Sequence, residues 1–74
     1  MSNKVSVVIE SDADGFYAHC PVLPGCQSQG NTMDEAMANI QEAAELYLET
    51  LDESERAQLL SREVVTKSLE VEIA

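Results

Sequence analysis

Cations are scarce in this 74-residue chain, with 4 Lys and Arg against 14 Asp and Glu, a net charge of −10 at pH 7 and a pI near 4.1. Affinity for a nucleic-acid backbone comes largely from Lys and Arg displacing counterions, and four scattered cations cannot supply it. Direct DNA binding is therefore not expected, whereas a basic protein partner suits the charge. Aromatic residues are equally few: there is no Trp, and Phe16, Tyr17 and Tyr47 make up the whole set, so the core must be aliphatic. Two cysteines, Cys20 and Cys26, are too few for a disulfide scaffold. No apolar run approaches the roughly 18 residues of a membrane span. The N-terminal apolar stretch is interrupted by Ser6 and Glu10, unlike the continuous centre of a signal peptide. These absences predict a cytoplasmic protein with reduced thiols, no membrane association and no cofactor.

What remains is 45% hydrophobic, too apolar for a disordered acidic tail. A chain of this size buries only about 60% of the surface its unfolded form exposes, so apolar burial barely offsets the conformational entropy lost on folding. One domain over 1–74 is expected, stabilised by a partner or by homo-oligomerisation.

Val5, Val7 and Ile9 alternate with Ser6, Val8 and Glu10, which predicts a first strand over roughly 4–10. The turn formers Ser11-Asp12-Ala13-Asp14-Gly15 follow, and Phe16 to Cys20 resumes the strand pattern as the second arm of a hairpin. Pro21 and Pro24-Gly25 bracket another turn before a short polar edge strand, Cys26 to Gly30. Thr32 and Glu35 have the capping-box spacing. The helix they start, over about 33–51, gathers Met33, Ala36, Met37, Ile40, Ala43, Ala44, Tyr47, Leu48 and Leu51 in an arc of roughly 140°, the width of a core-facing stripe. Asp52-Glu53-Ser54-Glu55 repeats the capping pattern ahead of a short second helix, and Leu69, Val71 and Ile73 alternating with Glu70 and Glu72 predict a final strand. The expected fold is α+β, a two-layer sandwich of order β-β-β-α-(α)-β. Its last strand reaches the far edge by a right-handed crossover, giving the sheet order 3-2-1-4, or pairs with another copy.

Little in the chain suggests catalysis. His19 and Cys20 are neighbours on a strand and point to opposite faces, and with Cys26 they make no standard zinc set, so both cysteines are read as structural thiols. Asp12-Ala13-Asp14-Gly15 resembles the start of a calcium loop without its remaining ligands, and a hairpin turn explains it. Glu10, Asp12 and Asp14 would serve a divalent-metal nuclease only if they converged on one ion. The long helix is more informative: Asp34, Glu35, Glu42, Glu45 and Glu49 all fall on its outer arc, and no Lys or Arg lies between 33 and 51. Like charges at i,i+3 and i,i+4 cost an isolated helix a few tenths of a kcal/mol each, and acids near its C-terminal end oppose the macrodipole. Leu46 lies on the same arc. An apolar anchor among acids is the composition of a contact surface, although a solvated face is the simpler alternative.

Tyr17-Ala18-His19-Cys20-Pro21-Val22-Leu23-Pro24-Gly25-Cys26 and Gly30-Asn31-Thr32-Met33-Asp34-Glu35-Ala36 together resemble the HicB family. Its pattern is an aromatic-bearing strand, a proline, a Leu-Pro-Gly-Cys turn, a Gly-Asp/Asn-Thr step and a Glu-Ala helix start, and the likeness runs from about Val5 to Leu51. Pro21, Pro24, Gly25, Gly30, Thr32, Glu35 and Ala36 carry it, and all are structural. The resemblance implies a partial, catalytically dead RNase H-like fold and the role of antitoxin against a small, basic HicA-like toxin that cleaves mRNA with a histidine. On that reading the patch Glu42, Glu45, Leu46 and Glu49, or the acidic turn with Asp12 and Asp14, meets the toxin. The helix-turn-helix or ribbon-helix-helix domain of many family members has no room after Ala74, so operator binding is not expected. A stand-alone oligomeric module for another basic protein is the alternative.

Overall fold

The computed structural model describes residues 4–74, so the first three residues of the expected 1–74 domain lie outside the described residues. Three strands, β1 (Val8–Asp12), β2 (Gly15–His19) and β3 (Gln27–Gly30), precede two helices, α1 (Met33–Glu49) and α2 (Glu53–Leu60). The strands form one antiparallel sheet in the order β1-β2-β3, with α1 laid across one face against β2 and β3. This is the expected α+β sandwich of a sheet and a main helix.

The hairpin forms as its composition dictates. Asp12 pairs with Gly15 across the turn Ala13-Asp14, and the Asp14 amide donates to Asp12 Oδ1 at 2.8 Å, an Asx turn that fixes the register. That register stacks Ile9, Ala18 and Ser28 in one row and Ser11, Phe16 and Gly30 in the next. Ile9, Phe16 and Ala18 thus belong to the face that meets α1, while Val8, Tyr17 and His19 belong to the open face.

Between β2 and β3 the chain folds in on itself. The amides of Cys20, Leu23 and Cys26 donate to the carbonyls of Cys26, Cys20 and Leu23, each at 3.0 Å, and this closed set of bonds drives Val22 and Leu23 into the core. Pro21 and Pro24 stay at the surface, and Gly25 takes φ 79°, a left-handed turn position that a side chain would strain. Leu23 and Ile40 are the largest fully buried side chains, joined by Ala18, Cys20, Val22, Cys26, Ala36 and Ala44. The core is aliphatic and sulfur-bearing, with Phe16 and Tyr47 only at its margin.

Helix α1 starts where the sequence predicts: the Thr32 hydroxyl accepts from the Glu35 amide at 3.1 Å. The reciprocal capping box closes at α2 instead, where Asp52 Oδ1 accepts from the Glu55 amide at 2.7 Å and Glu55 Oε1 accepts from the Asp52 amide at 3.3 Å. Gly30 is the contact point of sheet and helix. A Cβ there would stand 2.6 Å from the Ala36 amide nitrogen, so β3 and α1 approach this closely only because Gly30 has no side chain and Ala36 a small one.

Four expectations are corrected. The first strand spans 8–12 rather than 4–10; Val5 and Val7 still pack on the core, but without ladder pairing. The terminal strand at 69–73 does not form, and Leu69, Val71 and Ile73 are 84%, 74% and 93% exposed. With it goes the order 3-2-1-4 of a partial RNase H-like sheet, since among the described residues the order is β1-β2-β3 and β1 has no neighbour on its outer side. Alternation specifies which side chains share a face, but not which edge, or whose, the strand will join. Finally, Met33 and Met37 are 53% and 41% exposed although they sit in the apolar arc. Met37 lies in a groove together with Val5 and Val7, because α1 packs over β2 and β3 and leaves this flank uncovered.

Candidate protein-binding surfaces

The acids of α1 line a solvated ridge. Glu42, Glu45 and Glu49 are all exposed, Leu46 among them is 57% exposed, and the last turn holds no basic residue. Glu45 Oε1 accepts from Gln41 Nε2 at 3.1 Å, an i,i+4 bond that holds one carboxylate in place without neutralising it. Asp12 and Asp14 are also exposed, but they belong to the hairpin turn, beside a polar hollow that also contains Gln29 and Glu35. Glu35 lies in the first turn of α1 and Glu45 ten residues on, about 15 Å along the axis at the helical rise. The two acidic patches are therefore separate surfaces.

A groove of about 640 Å³ opens between Val5 and Val7, which lead into β1, and α1. Val5, Val7, Ile40, Ala44 and Leu48 supply apolar wall, Met37 stands at its border, and Glu45 and Glu49 bring it into contact with the acidic ridge. Glu42 and Leu46 do not line it. Arg56 reaches this groove from α2: its Nη2 donates to the Leu51 carbonyl at 3.0 Å, while its Nε is buried without a partner among the described residues. Sequence reasoning missed the groove because Met37 fits a core stripe by spacing, and only the number of strands beneath the helix decides whether it is covered.

The residues considered for chemistry are placed otherwise. Cys20 and Cys26 are free and buried, and burial, reinforced by the neighbouring Cys26, pushes the Cys20 thiol up from 9.0 to about 11. A thiol held protonated is a poor nucleophile and a poor metal ligand. His19 is half-buried and next to Cys20 in sequence, but belongs to the other face. Among the described residues no three His, Cys, Asp or Glu side chains are grouped to hold a metal ion, so Glu10, Asp12 and Asp14 do not form the convergent set that a two-metal or single-metal nuclease requires. Among the described residues no helix is long and apolar enough to cross a membrane.

The described residues thus form a three-stranded sheet under one main helix, with exposed carboxylates and an apolar groove lined by Val5 and Val7. Residues 5–72 fit the family model described as HicB_like antitoxin of bacterial toxin-antitoxin system, and the chain belongs to that family. A UPF0150 protein of Helicobacter pylori is 43% identical over 70 residues, covering 95% of this chain and 97% of the relative. One from Archaeoglobus fulgidus is 43% identical over 63 residues, 84% of this chain and 91% of the relative. One from Synechocystis reaches 53% identity over 47 residues, 62% of this chain and 60% of the relative. No solved structure matches the chain. The match from residue 5 to 72 takes in the C-terminal segment, so the likeness extends well beyond the Leu-Pro-Gly-Cys turn.

Proposed function

We propose that the chain is a non-enzymatic antitoxin of the cytoplasm that neutralises a small, basic HicA-like ribonuclease by covering its RNA-binding surface. Membership of the antitoxin family over residues 5–72 is the observation that carries this reading. The charge supports it independently. A toxin that grips RNA must present cations to phosphate, and a ridge bearing Glu42, Glu45 and Glu49 with no intervening Lys or Arg offers the same cations a competing set of anions. Leu46 in the midst of those acids gives the interface an apolar anchor, and the turn acids Asp12 and Asp14 form a second contact for a partner that reaches round the hairpin. Inhibition of this kind needs no catalytic group, metal or cofactor on the antitoxin.

The test is growth. Expression of the small basic protein encoded beside this chain is expected to arrest cells and degrade mRNA, and co-expression of the chain to restore growth. Failure of the chain to relieve that arrest, with both proteins present and folded, would overturn the reading.

A further inference from the structure

Three unsatisfied features of this chain complement one another. Among the described residues the outer edge of β1 has no strand neighbour, leaving a row of main-chain donors and acceptors unpaired. Where the chain leads into β1 lies the groove walled by Val5, Val7, Ile40 and Leu48, an apolar trough that can take the inward side chains of a further strand running along β1 and the residues before it. At the other end of the sequence, Leu69, Val71 and Ile73 alternate with Glu70 and Glu72, the pattern of a strand with one apolar face, and all three apolar side chains are exposed. The five residues 69–73 match the five residues of β1 in length.

The segment does not reach that edge within its own chain. It departs from the body after Val64, the last residue packed on the core, and gives the molecule a radius of gyration of 14.4 Å and a longest extent of 49 Å. A compact chain of this length has a radius of gyration of about 11 Å. A segment held away from its own edge can occupy the same edge of another copy. Two copies related by a twofold axis satisfy both edges at once, the self-complementary arrangement that closes a dimer without leaving a free end.

We propose that residues 69–73 of each copy add as a fourth strand to the β1 edge of a second copy, with Leu69, Val71 and Ile73 seated in the groove. Apolar match rather than charge favours this occupant: Leu69, Val71 and Ile73 meet the walls formed by Val5, Val7, Ile40 and Leu48, while the alternating Glu70 and Glu72 face away from Glu45 and Glu49 in the groove. The pairing also covers Met37, the core-spaced residue that three strands leave exposed. The inference is independent of the toxin and predicts the opposite response to salt. Each copy has a net charge of −10, so screening relieves repulsion between copies and strengthens the dimer.

Sedimentation and isotope-filtered NMR on the full chain test it together. The unmodified protein is expected to sediment as a dimer, more tightly at high salt. A mixed sample of labelled and unlabelled copies should show contacts between Leu69, Val71 or Ile73 of one copy and Val5 or Val7 of the other. Replacing all three (Leu69→Glu, Val71→Glu and Ile73→Glu) should raise the dimer dissociation constant by at least about 100-fold, with helical circular dichroism unchanged, because these side chains are exposed within a single copy. A monomeric unmodified chain, a dimer whose intermolecular contacts lie elsewhere, or the same contacts within one copy would overturn the proposal. The NMR result on unmodified protein decides the matter even if the triple variant does not fold.

Discussion

Residues 15–36 and residues 61–74 are comparable in apolar content and opposite in fate. The first stretch contributes Ala18, Cys20, Val22, Leu23, Cys26 and Ala36 to the core, fixed by a ladder on each side of β2, a closed set of loop hydrogen bonds and the contact of Gly30 with α1. The second holds Val65, Leu69, Val71 and Ile73, each at least 65% exposed, without an assigned strand or helix. Apolar residues alone do not make a core. In the first stretch every local device, turn chemistry, cap and close approach, points to the same geometry, whereas in the second only the alternation is present and its partner is missing.

Substitutions that separate the two regions should rank accordingly. The largest loss is expected at Gly30. In Gly30→Ala the new Cβ meets the backbone of Glu35 and Ala36, so α1 must shift off the sheet, at a cost of about 3 kcal/mol or more. Urea denaturation would measure it, in a domain whose whole stability is of the order of 4–11 kcal/mol. Leu23→Ala, which empties the centre of the loop, is expected to cost about 3 kcal/mol by the same assay.

Next comes an effect of pH. Cys20 is raised from 9.0 to about 11 in the folded chain, so between these values the unfolded chain loses its proton first. Stability is therefore full below about pH 9 and falls as pH rises through 11, by on the order of 2 kcal/mol. Thermal melts across that window should show the decline, and Cys20→Ala should flatten it. Alkylation of both thiols in the native protein should be slow at neutral pH. Thr32→Ala removes the cap that accepts from the Glu35 amide and is expected to cost about 1 kcal/mol.

The smallest effect on folding belongs to the acidic ridge. Changing Glu42, Glu45 and Glu49 together to Gln removes like-charge neighbours and should leave stability unchanged or raise it by a few tenths of a kcal/mol. The same triple variant should bind the toxin at least about tenfold less tightly. Unchanged affinity would exclude this ridge and leave the hairpin acids as the contact.

Much of the fold was legible because local signals coincide with tertiary needs. Asp12 and Gly15 announce the turn that they make, Thr32 caps the helix that it begins, and the small Ala36 marks the closest approach of helix and sheet. The terminal strand does not form within one copy for a physical reason: Leu69, Val71 and Ile73 define a face, but a strand exists only once an edge accepts it, and no local residue names that edge. Met33 and Met37 were misplaced by the same gap, since helical spacing gives the direction of a side chain and not the width of the sheet beneath it. The exposure of the acids was legible from the helical wheel. Their division between the long helix and the hairpin turn is legible as well, whereas the groove beside Glu45 and Glu49 depends on where the residues before β1 meet α1, a long-range fact absent from any local window.

The measurement that tests the central claim most directly is the affinity of the full chain for its toxin, by calorimetric titration over a salt series. If acids of this chain cover the cations that hold RNA, binding weakens steeply as salt rises and RNA competes with the antitoxin for the toxin. Affinity that is insensitive to salt, with RNA and antitoxin bound to the toxin at the same time, would contradict it.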